Sequence, residues 1–327
     1  MKIQPISGRT RRGFTLIELM VAMAITTLIV TILVSITAIS LDTWTRNRSE
    51  VRAARQAKSM ADTMAKDLEA LVTRRGTNIE WISATTEDVK SDGNQPNIAS
   101  PNAADVIFYS APTDRYDGDL SAKTSVGDVS CVGYQLKYQD PIKSQGGSKL
   151  PTFVFYRLLV NPDETFEKLL TKSSTTSGAG VSTASGLKDI FDSAFSSEMD
   201  KNENFVCENI FQYTITLNVL VTKSASTGSA AAPVNVPITL GNSGSTAKKF
   251  SLIGSSIETD YTPTSSNVSA DELKNGILTS VEVSLTVLTD FGVDQMRKRS
   301  FGSKSDQAEF LAKNSYQYSK LVQVPSP

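Results

Sequence analysis

The chain has 327 residues, enough for one large domain or two small ones. Its 33 Lys and Arg against 34 Asp and Glu give a net charge of −1, so no global field draws it to nucleic acid. Histidine is absent and only two cysteines occur, Cys131 and Cys207. This removes the commonest general base, the commonest metal ligand and any CxxC or thiolate zinc site.

Residues 1–13 contain Lys2, Arg9, Arg11 and Arg12 and no acid. From Phe14 the sequence runs FTLIELMVAMAITTLIVTILVSITAISL to Leu41, with Glu18 as its only charge. The 23 uncharged residues from Leu19 to Leu41 reach roughly 35 Å as a helix, enough to cross a hydrocarbon core of about 30 Å. The run is too long for the apolar core of a secretory signal peptide, and no A-x-A site follows it. Asp42, Trp44 and Arg46 mark the return to an interface, with Trp44 suited to the headgroup level. The far flank carries Arg46, Arg48, Arg52, Arg55 and Lys58, so counting positive charge does not by itself orient the span.

Arg11-Arg12-Gly13-Phe14-Thr15-Leu16-Ile17-Glu18-Leu19 resembles the class III signal of type IV prepilins and type II secretion pseudopilins. The resemblance implies that a prepilin peptidase cuts after Gly13, that Phe14 becomes the N-methylated terminus, and that Glu18 is the carboxylate used in filament assembly. It also implies a cytoplasmic leader, a helix held in the bacterial inner membrane, and a C-terminal domain in the periplasm. A lone carboxylate in an apolar helix is unfavourable by a few kcal/mol on insertion scales. A neighbouring subunit's freed α-amino group would offset this by about 4 kcal/mol at contact if the effective dielectric is near 20. Thr15-Leu16-Ile17-Glu18 also has the T-x-x-E pattern of a capping box, so Glu18 has a purely local reading as well.

Apolar residues then recur in steps of three and four at Val51, Ala54, Ala57, Ala61, Met64, Leu68 and Leu71. The pattern predicts one helix from about residue 15 to 72, its second half laying one face on a sheet. Short or alternating apolar runs at Val106–Tyr109, Val132–Tyr138, Phe211–Val219 and Val281–Val287 predict antiparallel strands. Phe153–Val160 is more continuously apolar, as if covered on both faces, and is expected to form a hairpin with 132–138 through Gly146-Gly147. Residues 187–200 predict a short amphipathic helix with Leu187, Ile190, Phe191 and Phe195 on one side. A second helix is expected over 305–313 and a last strand near 317–324. The Ser/Thr/Gly-rich stretches 172–186, 222–247 and 262–270 read as loops.

The expected organisation is a leader (1–13), a membrane and filament-core helix (14–41), its amphipathic continuation (42–75) and a β-rich globular domain (76–327). The fold class is α+β and pilin-like, a long helix on antiparallel sheet. Asp67-Leu68 late in the helix, Tyr134 and Arg157 on the hairpin, and the late strand Ser280-Val281-Glu282-Val283 resemble the J-type minor pseudopilin. Long insertions depart from that pattern and are similar to prepilin-like cassette proteins of Verrucomicrobia-type genomes.

Cys131 and Cys207 each adjoin a predicted strand, and both a disulfide and two buried free thiols are open. Asp114, Asp117 and Asp119 around Gly118 are calcium candidates by ligand type, but their spacing is not that of an EF-hand and solvated turn aspartates are the commoner case. No other cofactor is indicated. A phosphate loop, a nucleophile elbow and an H-E-x-x-H motif are all missing, so no enzyme is expected. The resemblance implies a structural subunit in low copy below a filament apex. Its partners would be other pilin-like subunits through residues 14–41, the prepilin peptidase, the inner-membrane assembly platform and the membrane. An adhesin or substrate-binding protein displayed on that stalk is the second reading, and a membrane-anchored envelope enzyme the third.

Overall fold

The computed structural model describes residues 13–74, 78–89, 102–116, 127–141, 151–170, 186–223, 233–242, 244, 246–262, 268–299 and 301–325. The chain divides into two compact units, residues 1–49 and 50–327. Helix α1, Leu16–Glu69, contributes to both.

In the first unit, residues 25–37 are rich in Ile, Val and Thr, which are weak helix formers in water. In an apolar medium every backbone group must pair internally, which favours the helix regardless. The hydroxyls follow the same rule: Thr26, Thr27 and Thr31 each donate to the carbonyl four residues back, at 2.7–2.8 Å. Ser35, Thr37 and Thr43 do the same at 2.8–2.9 Å. No side-chain hydroxyl is left to point bare into an apolar medium at these six positions.

The second unit begins with the remaining turns of α1, which bury Ala53, Ala57, Met60, Ala61, Met64, Ala65 and Leu68. Val51 and Ala54, expected on this stripe, are exposed. At about 100° per residue Val51 lies about 120° around the helix from Ala57, and Ala53 takes the inward place. The helix stops at Glu69, three residues short of the expected end. There the backbone is captured by a strand, with Val72 N donating to Tyr109 O and Ala111 N to Ala70 O, both at 2.9 Å.

Eleven strands follow among the described residues: β1 Glu80–Asp88, β2 Asn102–Ser110, β3 Ser130–Gln139, β4 Thr152–Val160, β5 Phe205–Glu208, β6 Ile210–Thr222, β7 Pro233–Leu240, β8 Lys249–Ile253, β9 Ser256–Thr259, β10 Ile277–Leu288 and β11 Ser315–Gln323. Among the described residues, the α-helices of five or more residues beyond α1 are α2 Leu187–Met199, α3 Ala270–Lys274, α4 Asp290–Lys298 and α5 Lys304–Asn314. All pairings are antiparallel. They build a seven-stranded sheet, β5-β4-β3-β2-β1-β8-β9, and a four-stranded one, β11-β10-β6-β7. The expected hairpin is β3–β4, with Tyr134 opposite Arg157 and Tyr138 opposite Phe153; its Gly146-Gly147 loop lies outside the described residues.

The sheets meet through aromatic rings. Phe155 on β4 meets Tyr213 on β6 edge-on at 5.1 Å, and Phe153 meets Phe211 at 5.4 Å. The other face of the large sheet carries α2, whose Leu187, Phe191, Phe195 and Met199 are buried. A Cβ at Gly133 would come within 2.7 Å of Phe191 Cζ, so the missing side chain there is what admits the helix. This second cover explains why residues 131–134 of β3 are all buried rather than alternating. At the corner where β5 passes into β6, Asn209 takes a left-handed φ of 66°. Its side chain accepts from Thr152 Oγ1 at 3.0 Å and donates to Asp290 Oδ1 at 2.9 Å.

One expected loop is corrected. The stretch 222–247 contains β7, an edge strand whose Pro233 and Pro237 the sheet tolerates because no other described strand pairs with that edge. Residues 172–185 and 263–267 of the other two stretches lie outside the described residues.

Candidate functional site

The N-terminal site is built on the first turn of α1. Leader residues 1–12, Arg11 and Arg12 included, lie outside the described residues, and Gly13 precedes the helix as irregular chain. Phe14 is 87% exposed. Glu18 Oε2 accepts from Thr15 N and from Thr15 Oγ1, both at 2.9 Å, while Glu18 N donates to Thr15 Oγ1 at 3.3 Å. This is the local capping geometry anticipated from T-x-x-E. In the free chain the carboxylate is satisfied by its own helix start, so any partner must compete with these bonds.

Behind Glu18 lies an unbroken apolar surface. Leu16, Met20, Leu28, Leu33 and Val34 are all more than half exposed. Among the described residues α1 alone is long and apolar enough to cross a membrane, and none of its most apolar window is buried within the chain. Monomeric soluble proteins do not expose apolar surface on this scale. What the arrangement can do chemically is insert or pack.

In the second unit, three residues singled out in the sequence come together. Tyr134 Oη donates to Asp67 Oδ2 at 2.5 Å. Arg157 grips the same carboxylate with two bonds, Nε to Oδ2 at 2.7 Å and Nη2 to Oδ1 at 2.9 Å. The guanidinium also holds Asp114, at 2.9 Å to Oδ2 and 3.2 Å to Oδ1. Burial disfavours the Arg157 charge, but the bonds to Asp67 and Asp114 outweigh it and raise its pKa. Burial likewise opposes the Asp114 charge, yet the Arg157 bond and charge leave its pKa below the ordinary carboxylate value. Burial, with the Asp67 charge nearby, pushes the Tyr134 hydroxyl well up, so it stays a donor. Ser110 Oγ adds a bond to the Asp67 carbonyl at 2.6 Å. The cluster fastens α1 to β2, β3 and β4.

Asp114, expected as a calcium candidate, is thus engaged by an arginine; Asp117 and Asp119 lie outside the described residues. Among the described residues no group of three or more metal-ligating side chains converges. Cys131 and Cys207 are both buried and free. Cys131 sits on β3 opposite Val160, and Cys207 on β5 opposite Phe155, with β4 between them. Two strand spacings of about 4.8 Å and five residues of offset exceed the roughly 7 Å that a disulfide spans.

A second buried charge cluster was not anticipated. Lys188 Nζ on α2 donates to Asp105 Oδ2 at 2.7 Å and Asp192 Oδ2 at 3.2 Å, and Gln135 Nε2 donates to Asp105 Oδ2 at 2.9 Å. Burial raises the Asp105 pKa against the pull of Lys188. Only the Lys188-to-Asp192 spacing of four was visible in sequence; Asp105 lies within an apolar strand. A cleft of about 250 Å³ at the end of α1 is lined by Leu71, Leu252, Ile277, Leu278, Val324 and Pro325 among others, with no titratable side chain.

No curated protein and no solved structure matches the chain. Residues 8–34 match the family model for the prokaryotic N-terminal methylation motif. The chain therefore carries the signature of type IV prepilin-like proteins, placed on the exposed start of its long apolar helix.

Proposed function

We propose that this chain is a structural minor subunit of a type II secretion or type IV pilus-like filament, held in the bacterial inner membrane before assembly. The peptidase cuts between Gly13 and Phe14, and Phe14 becomes the methylated terminus. The leader faces the cytoplasm and residues 50–327 the periplasm. Residues 14–41 then pack against the same helix of other pilin-like subunits, with Glu18 meeting a neighbour's α-amino group. The size of the domain suits a low-copy place, of the J-type or cassette kind, rather than a densely repeated one. The observation that carries this reading is the combination of the matched motif with an apolar helix that none of the described residues covers.

Intact-mass and N-terminal analysis of membrane-extracted protein tests it. The expected terminus is methylated Phe14. Retention of residues 1–13 in a host with an active prepilin peptidase would overturn it.

A further inference from the structure

The turn that follows the apolar run has a composition that membrane anchoring alone does not require. Between Leu41 and Ser49 stand Trp44, Arg46 and Arg48, with Asp42 as the one acid. Lys and Arg are normally enriched on the cytoplasmic flank of a span and hinder transfer of the flank that crosses. Here they sit on the flank that the proposed topology sends outward.

Their depth is set by helix geometry. At 1.5 Å per residue, Trp44 lies roughly 4.5 Å and Arg48 roughly 10.5 Å past Leu41. The headgroup layer on each side of the core is about 5–7 Å thick. Helical side chains lean toward the N-terminus, which for this helix means back toward the bilayer. Arg48 does so: its Cζ lies 5.6 Å from the centroid of the Trp44 ring, four residues earlier. The guanidinium is thereby held against the indole. Trp44 is 59% exposed, so its ring is open to the surroundings. Arg48 is exposed, whereas Arg46 projects about 200° away around the helix and is not part of this pairing.

We infer that Trp44 and Arg48 form a binding site for the phosphate of an anionic phospholipid headgroup in the outer leaflet of the inner membrane. This rests on the membrane anchoring of residues 14–41 proposed above. The apolar run carries the acyl chains of the same lipid layer, and the indole occupies the ester level. The guanidinium held over it offers paired donors to a phosphate, which a lysine cannot match. The flank thus engages the membrane by charge as well as by apolar area, and it marks the axial position at which the helix rests before extraction.

The test places the processed full chain in bilayers of zwitterionic lipid containing either brominated phosphatidylglycerol or brominated phosphatidylcholine. Bromine quenches an indole at the lipid boundary; the Trp44→Phe chain supplies the background from Trp81, which is 3% exposed. The ratio of quenching constants should favour phosphatidylglycerol by about fivefold for the one arginine engaged. In the Arg48→Gln chain the ratio should approach one. A ratio of one in the unsubstituted chain overturns the site, as does a preference that survives the substitution. Failure of both lipids to quench overturns the anchoring as well, which separates the two claims.

Discussion

The two halves of α1 solve the same structural problem with opposite chemistry. Up to Leu41 the helix is apolar on every side and its large residues are exposed. From Ala53 it buries one stripe, and that stripe is mostly alanine with Met60, Met64 and Leu68 between. The first half is a helix because an apolar medium leaves the backbone no other partner; the second is held by close packing on the sheets. One pattern therefore tolerates added bulk and the other does not. Around the second half, charge is spent on fixing position: Arg52 to Glu208 at 2.6 Å, Lys320 to Asp62 at 2.6 Å, and Arg157 to Asp67.

The largest expected effect comes from stranding the buried carboxylate of that second half. Arg157→Ala leaves Asp67, whose side chain is 3% exposed, without its charge partner. Breaking one side of a buried pair typically costs about 3–5 kcal/mol. Denaturation of the full chain in detergent, followed by Trp81 fluorescence, should show a loss of that order, while membrane retention stays unchanged. A loss below about 1 kcal/mol would mean that the cluster does not hold the helix to β3 and β4.

A matched pair of substitutions measures the contrast directly. Ala57 is 1% exposed, whereas Ala38 is exposed in the apolar run. Ala57→Leu should destabilise the second unit by about 1–3 kcal/mol through overpacking. Ala38→Leu should leave its unfolding midpoint in place and slightly strengthen retention in the bilayer. Equal effects at the two positions would erase the distinction between the halves.

Legibility followed the same divide. Gly13, Phe14 and Glu18 lie within six residues of one another, so the motif matched over residues 8–34 was readable from local sequence. Strands with strict alternation, such as 281–287, were equally readable. What escaped depends on distant partners. β1 is polar at Thr85, Thr86, Glu87 and Asp88 and becomes a central strand only because β8, some 160 residues later, pairs with it. β7 was hidden by Pro233 and Pro237 inside a Ser/Thr-rich stretch, since edge position is not a local property. Asp67, Tyr134 and Arg157 were singled out by resemblance, but the engagement of Asp114 by the same guanidinium needed the fold.

A smaller effect is expected from that outer carboxylate. The Asp114 pKa is lowered in the folded chain, so its contribution is complete above the ordinary carboxylate value of about 3.9 and disappears as pH falls through the lowered one. Its side chain is 59% exposed, which screens the pair and holds the contribution under about 1 kcal/mol. Asp114→Asn should lower stability by under about 1 kcal/mol at pH 7 and change it little once pH has fallen below the lowered Asp114 pKa, flattening the profile between the two. A matching loss at both pH values would assign Asp114 a role other than ion pairing.

The least effect on folding, and the most informative one on assembly, belongs to Glu18→Gln. The amide oxygen of glutamine can accept the bonds from Thr15 N and Oγ1 that the carboxylate accepts now, so the helix start should survive. Stability of the second unit should be unaltered, because it begins at residue 50. Only the negative charge is removed. If Glu18 acts by pairing with a neighbour's α-amino group, the variant should be processed at Gly13 and inserted as usual, yet fail to enter filaments in shearing or cross-linking assays. Normal incorporation would leave Glu18 as a helix cap alone, and axial register between subunits would then have to come from packing of the apolar run.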